Sequence, residues 1–140
     1  MAVKIALEVP DDFLYVSMVP KIGRILLEHH HAPPQDIDDI ELVVGELCSN
    51  ASNHACFGEA DSYHVVIEHH DTHVLLVVED QGQGFDPANL PPVGEPRPDA
   101  NGGHRIGGFG LHLVKLLTDH VEIMPSLIGT TVRAEKRYTR

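Results

Sequence analysis

The chain has 140 residues, enough for one domain with a buried core and too few for two comfortable ones. Hydrophobic residues make up 42% and aromatics 5%, with no Trp, so Val, Ile and Leu must fill most of the interior. Ten Lys and Arg against 21 Asp and Glu leave a formal charge of −11, which repels phosphate backbones and anionic lipid and argues against a nucleic-acid or membrane-surface role.

The stretch VKIALEV alternates Val3, Ile5, Leu7 and Val9 with polar or small residues, the period of a half-buried strand. Asp11 and Asp12 are placed to cap the next segment, whose apolar residues run to Leu27, with Pro20 as the expected break or kink. HHHAPPQD ends that helix: Pro33 and Pro34 forbid continuity, and Asp36 is the expected N-cap of the next. From there Ile40, Val43, Val44, Leu47, Cys48, Ala51 and Ala55 follow the i, i+3, i+4, i+7 spacing of an amphipathic helix. Projected around that helix, Asp39, Glu46, Asn50 and Asn53 form a polar stripe on the flank of the buried face, where a cleft floor could lie. Cys48 and Cys56 fall eight apart in this pattern, too distant to bridge, and read as buried, reduced thiols.

YHVVIEH and HVLLVVED read as two strands around the turn HDT. The second is apolar on both faces, as a central strand would be, and ends at Asp80. Residues 86–106 hold five prolines and no periodicity, a long loop of the kind that is usually functional in a small domain. GGFGLHLVKLLTDH opens on glycines and continues as a helix; VEIM and TTVRAEKR close the chain as strands. This order predicts an α+β fold, a two-layer sandwich of a mixed, mostly antiparallel sheet with helices on one face. No apolar run reaches membrane-spanning length, and MAVKIALEVP lacks a secretory-leader pattern, so a cytoplasmic setting is expected.

Three places are candidates for chemistry, and each taken alone also reads as ordinary structure: a turn at DQGQG, a loop-to-helix junction at GGFG and a solvated helix face at Glu46 and Asn50. Asp80, with Gly82 and Gly84 behind it in DQGQG, puts a carboxylate at the end of an apolar strand. Such a group is costly to desolvate unless something donates to it, as an adenine amino group would. Gly107, Gly108 and Gly110 at a helix start allow close backbone approach and aim free amides at an anion. On the polar stripe, the Asn50 amide oxygen suits Mg²⁺, and the Glu46 carboxylate one turn away suits a base. The histidine clusters His29–His31 and HHDTH lack the spacing of a structural zinc site and are expected at a helix end and a hairpin surface.

In this order, Glu46-x-x-x-Asn50, Asp80-x-Gly82-x-Gly84, a long loop, Gly108-x-Gly110 opening a helix and Gly129-Thr130-Thr131 leading a strand resemble the GHKL ATPase superfamily. Within it, GELCSNASNHA, EDQGQGFDP and GGFGLHLVKLLTDHVEI are most similar to the small, single-domain anti-sigma factor serine kinases of bacteria. The resemblance covers nearly the whole chain and implies the Bergerat ATP-binding fold, with ATP and Mg²⁺ bound. Asn50 would ligate Mg²⁺, Asp80 would read the adenine amino group with Thr130 in support, and Gly82 and Gly84 would let the chain turn under the base. Gly108 and Gly110 would present amides to the phosphates beneath a lid at about residues 86–106. Glu46 would be the general base that prepares a partner's serine.

Such kinases phosphorylate a STAS-type anti-anti-sigma protein, sequester a sigma factor in the alternative state and are commonly homodimers. Lys21 and Arg24 could meet an acidic partner surface or simply face solvent, and Arg105 could reach a phosphate. One departure from the family pattern is the extra glycine pair Gly102–Gly103 ahead of the core G-x-G. The main alternative is a non-catalytic ATP-binding switch that regulates a partner phosphatase or other regulator. A detached histidine-kinase domain is disfavoured, because no helical phospho-acceptor segment stands outside the expected fold.

Overall fold

The computed structural model describes residues 2–55, 62–80, 97–98, 104–105, 107–126 and 129–139, with the backbone alone described for 53–55, 97–98, 104–105, 107–110 and 126. Strand β1 (Val3–Pro10) leads to the short α1 (Phe13–Val16), α2 (Met18–His29) and the long α3 (Pro34–Ala55). The hairpin β2 (Ser62–His69) and β3 (His73–Asp80) follows, then a small ribbon, β4 (Arg97–Pro98) with β5 (His104–Arg105). Helix α4 (Gly107–Leu117) precedes the closing strands β6 (His120–Ser126) and β7 (Gly129–Arg137).

Period-two alternation sorts the two faces of the sheet. On β2, Tyr63, Val65, Ile67 and His69 are buried, and on β3, Val74, Leu76, Val78 and Asp80. These rows coincide in the β2–β3 register and pack under α2 and α3, whose Leu27, Ile40, Val43, Val44 and Leu47 are fully buried. The sheet runs β1-β2-β3-β7-β6. Expected as mixed and mostly antiparallel, it is antiparallel at every described pairing. The architecture is therefore the expected α+β two-layer sandwich with β3 at its centre. No described helix is long and apolar enough to cross a membrane.

Four local expectations are corrected. Pro20 does not break a helix: it sits in the first turn of α2, where backbone N–H groups have no intrahelical acceptor to lose, and the break falls at Ser17. Asp36 is not an N-cap, because α3 begins two residues earlier at Pro34, whose fixed φ suits a first helical position. Its carboxylate instead accepts from Thr139 N–H at 2.8 Å. Arg24 does not simply face solvent: it donates to Glu28 at 3.0 Å and also bonds Asp38 and Glu41, pinning α2 to α3. The HHDTH cluster is not all surface, because alternation carries His69 onto the helix-covered face. There it bonds the Tyr138 hydroxyl at 2.6 Å and stacks on His30 with centroids 4.4 Å apart.

Asp12 does cap α1, accepting from Leu14 N–H at 2.9 Å. The histidine run ends α2 as expected. His31 takes the left-handed conformation (φ 58°), His31 N–H bonds Glu28 O at 3.0 Å, and Ala32 N–H bonds Leu27 O at 3.0 Å. That is a Schellman closure with histidine in the usual glycine position.

Candidate functional site

Register decides which side chains meet at the end of β3. Tyr63 of β2, Asp80 of β3 and Thr130 of β7 stand directly opposite one another across three strands. Residues so paired share a face, here the helix-covered one. Asp80 is 5% exposed and Thr130 4%. Thr130 N–H donates to Asp80 Oδ1 at 3.2 Å, so the structure brings together the two residues expected to serve one end of a ligand. The Thr130 hydroxyl, buried beside them, meets no partner among the described residues. An orphaned hydroxyl next to a carboxylate fits a ligand edge that can both donate and accept.

Two contacts bring α3 over the same row. Pro10 and Val9 pair with Ser62 and Tyr63, so β1 ends where Asp80 lies, and the following Asp11 accepts from Ser52 Oγ at 2.8 Å. Cys48, between Glu46 and Asn50 on α3, is sealed against Tyr63, the strand neighbour of Asp80. Asn50 is 8% exposed and Glu46 is half-buried. They stand one turn apart, about 6 Å along the helix axis. The part of the polar stripe that holds Glu46 and Asn50 is thus kept at the covered end of β3 by the helix's own contacts through Cys48 and Ser52.

Gly108 and Gly110 fall in the first turns of α4, which packs on α3. The N–H groups of a first turn have no intrahelical acceptor and carry the positive end of the helix dipole, a ready anion contact. Gly82 and Gly84 lie outside the described residues. So does the expected lid, apart from the β4–β5 ribbon, where Arg105 pairs with Arg97. Among the described residues, no group of three or more His, Cys, Asp or Glu is arranged to hold a metal ion.

Sequence reasoning missed the Tyr63–Cys48 pair. Burial comes first among the causes that push the Cys48 thiol up to about 12 and raise the Tyr63 phenol as well. A thiol is a weak partner, and the phenol oxygen meets no stronger one among the described residues. The alternation in SYHVVIEH was the available signal, since it aligns Tyr63 with Val65 and Ile67.

The family model for the histidine kinase-like ATPase domain matches residues 15–136. The serine-protein kinase RsbW of Halalkalibacterium halodurans is 33% identical over 92 residues, 63% of this chain and 55% of that protein. The chain thus spans about half the length of this relative. RsbW of Bacillus anthracis is 24% identical over 123 residues, 86% of this chain and 77% of that protein. Among solved structures, the RsbU and RsbW domains of a Mycobacterium tuberculosis protein superpose with a TM-score of 0.72 at 21% identity, covering 97% of this chain and 32% of that one. The SiaB–SiaC complex of Pseudomonas aeruginosa gives 0.62 at 14%, covering 94% and 89%. At these identities the solved structures show a shared fold.

Proposed function

The chain belongs to the histidine kinase-like ATPase domain family, and from that premise we propose that it binds Mg-ATP and phosphorylates a serine on a protein partner. The carrying observation is the Asp80–Thr130 pair: a buried carboxylate that accepts the Thr130 N–H, with a hydroxyl beside it that meets no partner among the described residues. Asp80 accepts the adenine amino group, and the Thr130 hydroxyl completes the contact directly or through water. Asn50 supplies an oxygen to Mg²⁺, and the first-turn amides at Gly108 and Gly110 receive the phosphates.

ATP supplies the γ-phosphoryl group. Glu46 takes the proton of the partner's serine hydroxyl as that oxygen bonds to phosphorus in line and the bond to the β-phosphate oxygen breaks. The relatives named serine-protein kinases support this chemistry over transfer to histidine. The partner is a STAS-type anti-anti-sigma protein. In the alternative state the chain, as a homodimer, holds a sigma factor.

The test is incubation with γ-labelled ATP and a STAS-domain protein, with Glu46→Ala as control. Label on a partner serine that the control lacks supports the kinase. Nucleotide binding with no label on any serine assigns the chain to non-catalytic switching.

A further inference from the structure

The chemistry proposed above leaves unused a buried ion cluster at the far ends of its two helices. Lys136 of β7, 9% exposed, donates from Nζ to the carbonyl oxygen of Leu117, the last residue of α4, at 3.0 Å. The same ammonium lies 3.7 Å from Asp36 Oδ1 and 3.5 Å from Asp39 Oδ2, both on α3. Asp36 is fully buried; its Oδ2 accepts Thr139 N–H at 2.8 Å and Thr139 Oγ1–H at 3.2 Å. Its Oδ1 has no hydrogen-bond partner among the described residues, which leaves the lysine charge as its compensation.

Helix polarity favours the arrangement at both ends. Asp36 lies in the first turn of α3, where negative charge is favoured, and the ammonium caps the negative end of α4. One side chain therefore fixes the last carbonyl of α4 against the opening turns of α3. Helices are stiff rods with a rise of about 1.5 Å per residue, so Gly108 lies about 13 Å from Leu117 and Asn50 about 16 Å from Asp39. A displacement at this anchored pole is carried to the opposite one, where the candidate phosphate contacts stand.

We propose that Lys136 is a positioning residue for the phosphate end of the nucleotide site: it sets the spacing between the helix carrying Gly108 and Gly110 and the helix carrying Asn50. This rests on the ATP-binding reading above. The adenine end stands on the backbone register between β3 and β7, in which Lys136 takes part through its main chain opposite Val74, six residues from Thr130, and not through its ammonium. The role thus predicts a selective defect, in which phosphate recognition weakens while base recognition is spared.

The test compares ATP with adenosine by NMR titration of the full chain. It uses wild type, Lys136→Met, Lys136→Arg, and a double substitution, Asp36→Asn with Lys136→Met, that removes both buried charges together. Thermal melting shows which variants fold. In folded Met-substituted variants the ATP Kd rises about tenfold, the adenosine Kd stays at the wild-type value, and Lys136→Arg restores most of the loss. Equal loss for both ligands, or no loss for either, overturns the positioning role. So does a failure of every variant to fold, since the cluster would then serve folding alone. A wild type that takes up neither ligand overturns the ATP reading itself and this assignment with it.

Discussion

Substituting Asp80→Asn changes one oxygen to an amino group at nearly constant shape, in a site 5% exposed to solvent. The new amide keeps an oxygen to accept Thr130 N–H, now 3.2 Å from the carboxylate, so the fold stays within about 1 kcal/mol of wild type. The second position now carries a donor where adenine also presents a donor. A hydrogen bond to a charged acceptor contributes about 1.5–3 kcal/mol, and about 1.4 kcal/mol is a factor of ten, so the ATP Kd should rise about ten- to a hundredfold. Guanine presents an acceptor at that place, so the preference for ATP over GTP should shrink or invert. Calorimetric titration of both nucleotides against both proteins, with thermal melting as the folding control, measures all three effects. An ATP affinity and an ATP-to-GTP ratio equal to wild type would remove Asp80 from the site.

Glu46→Ala should lower phosphoryl transfer by about 10²–10⁴-fold while ATP affinity is retained, read from labelled-ATP assays alongside titration. Loss of binding together with transfer would reassign Glu46 to a structural role. Leu27→Ala, at a fully buried position away from the site, should cost about 2–5 kcal/mol in urea unfolding with an unchanged denaturant slope. The native chain keeps Cys48 protonated up to about 12, whereas the unfolded chain loses that proton near the ordinary thiol value. Stability from this group is therefore full below that value and falls as pH rises towards about 12, by at most about 1.4 kcal/mol per pH unit. In a Cys56→Ser background, Cys48→Ala should flatten the alkaline decline of the unfolding free energy; an unchanged slope refutes the link.

What could be read in advance was what a local window contains. HVLLVVED is bounded by turn residues on one side and a glycine-rich string on the other, and β3 runs His73–Asp80 as those limits implied. The apolar spacing from Ile40 to Ala55 likewise located the long helix and the flank on which Glu46 and Asn50 sit. The missed features depend on distant partners. Asp36 looks like a cap after two prolines, but its partner Thr139 lies 103 residues away. Arg24 looks free in sequence until α3 brings Asp38 and Glu41 beside it. The Asp80–Thr130 contact spans 50 residues and exists only through the β3–β7 register. For that reason Thr130 entered through family resemblance and not through any nearby pattern.

Asp80 and Thr130 share their face of the sheet with Leu76, Val78 and Ala134. Strand side chains alternate strictly, so deleting or inserting one residue inside β3 or β7 would swing the carboxylate and the core side chains beyond it to opposite sides together. Length changes should therefore be tolerated in the 70–72 turn or between Asp80 and Gly129 and not within either strand. Homologues of different lengths should place their gaps there, because a misplaced residue within either strand would cost stability and ligand recognition at once.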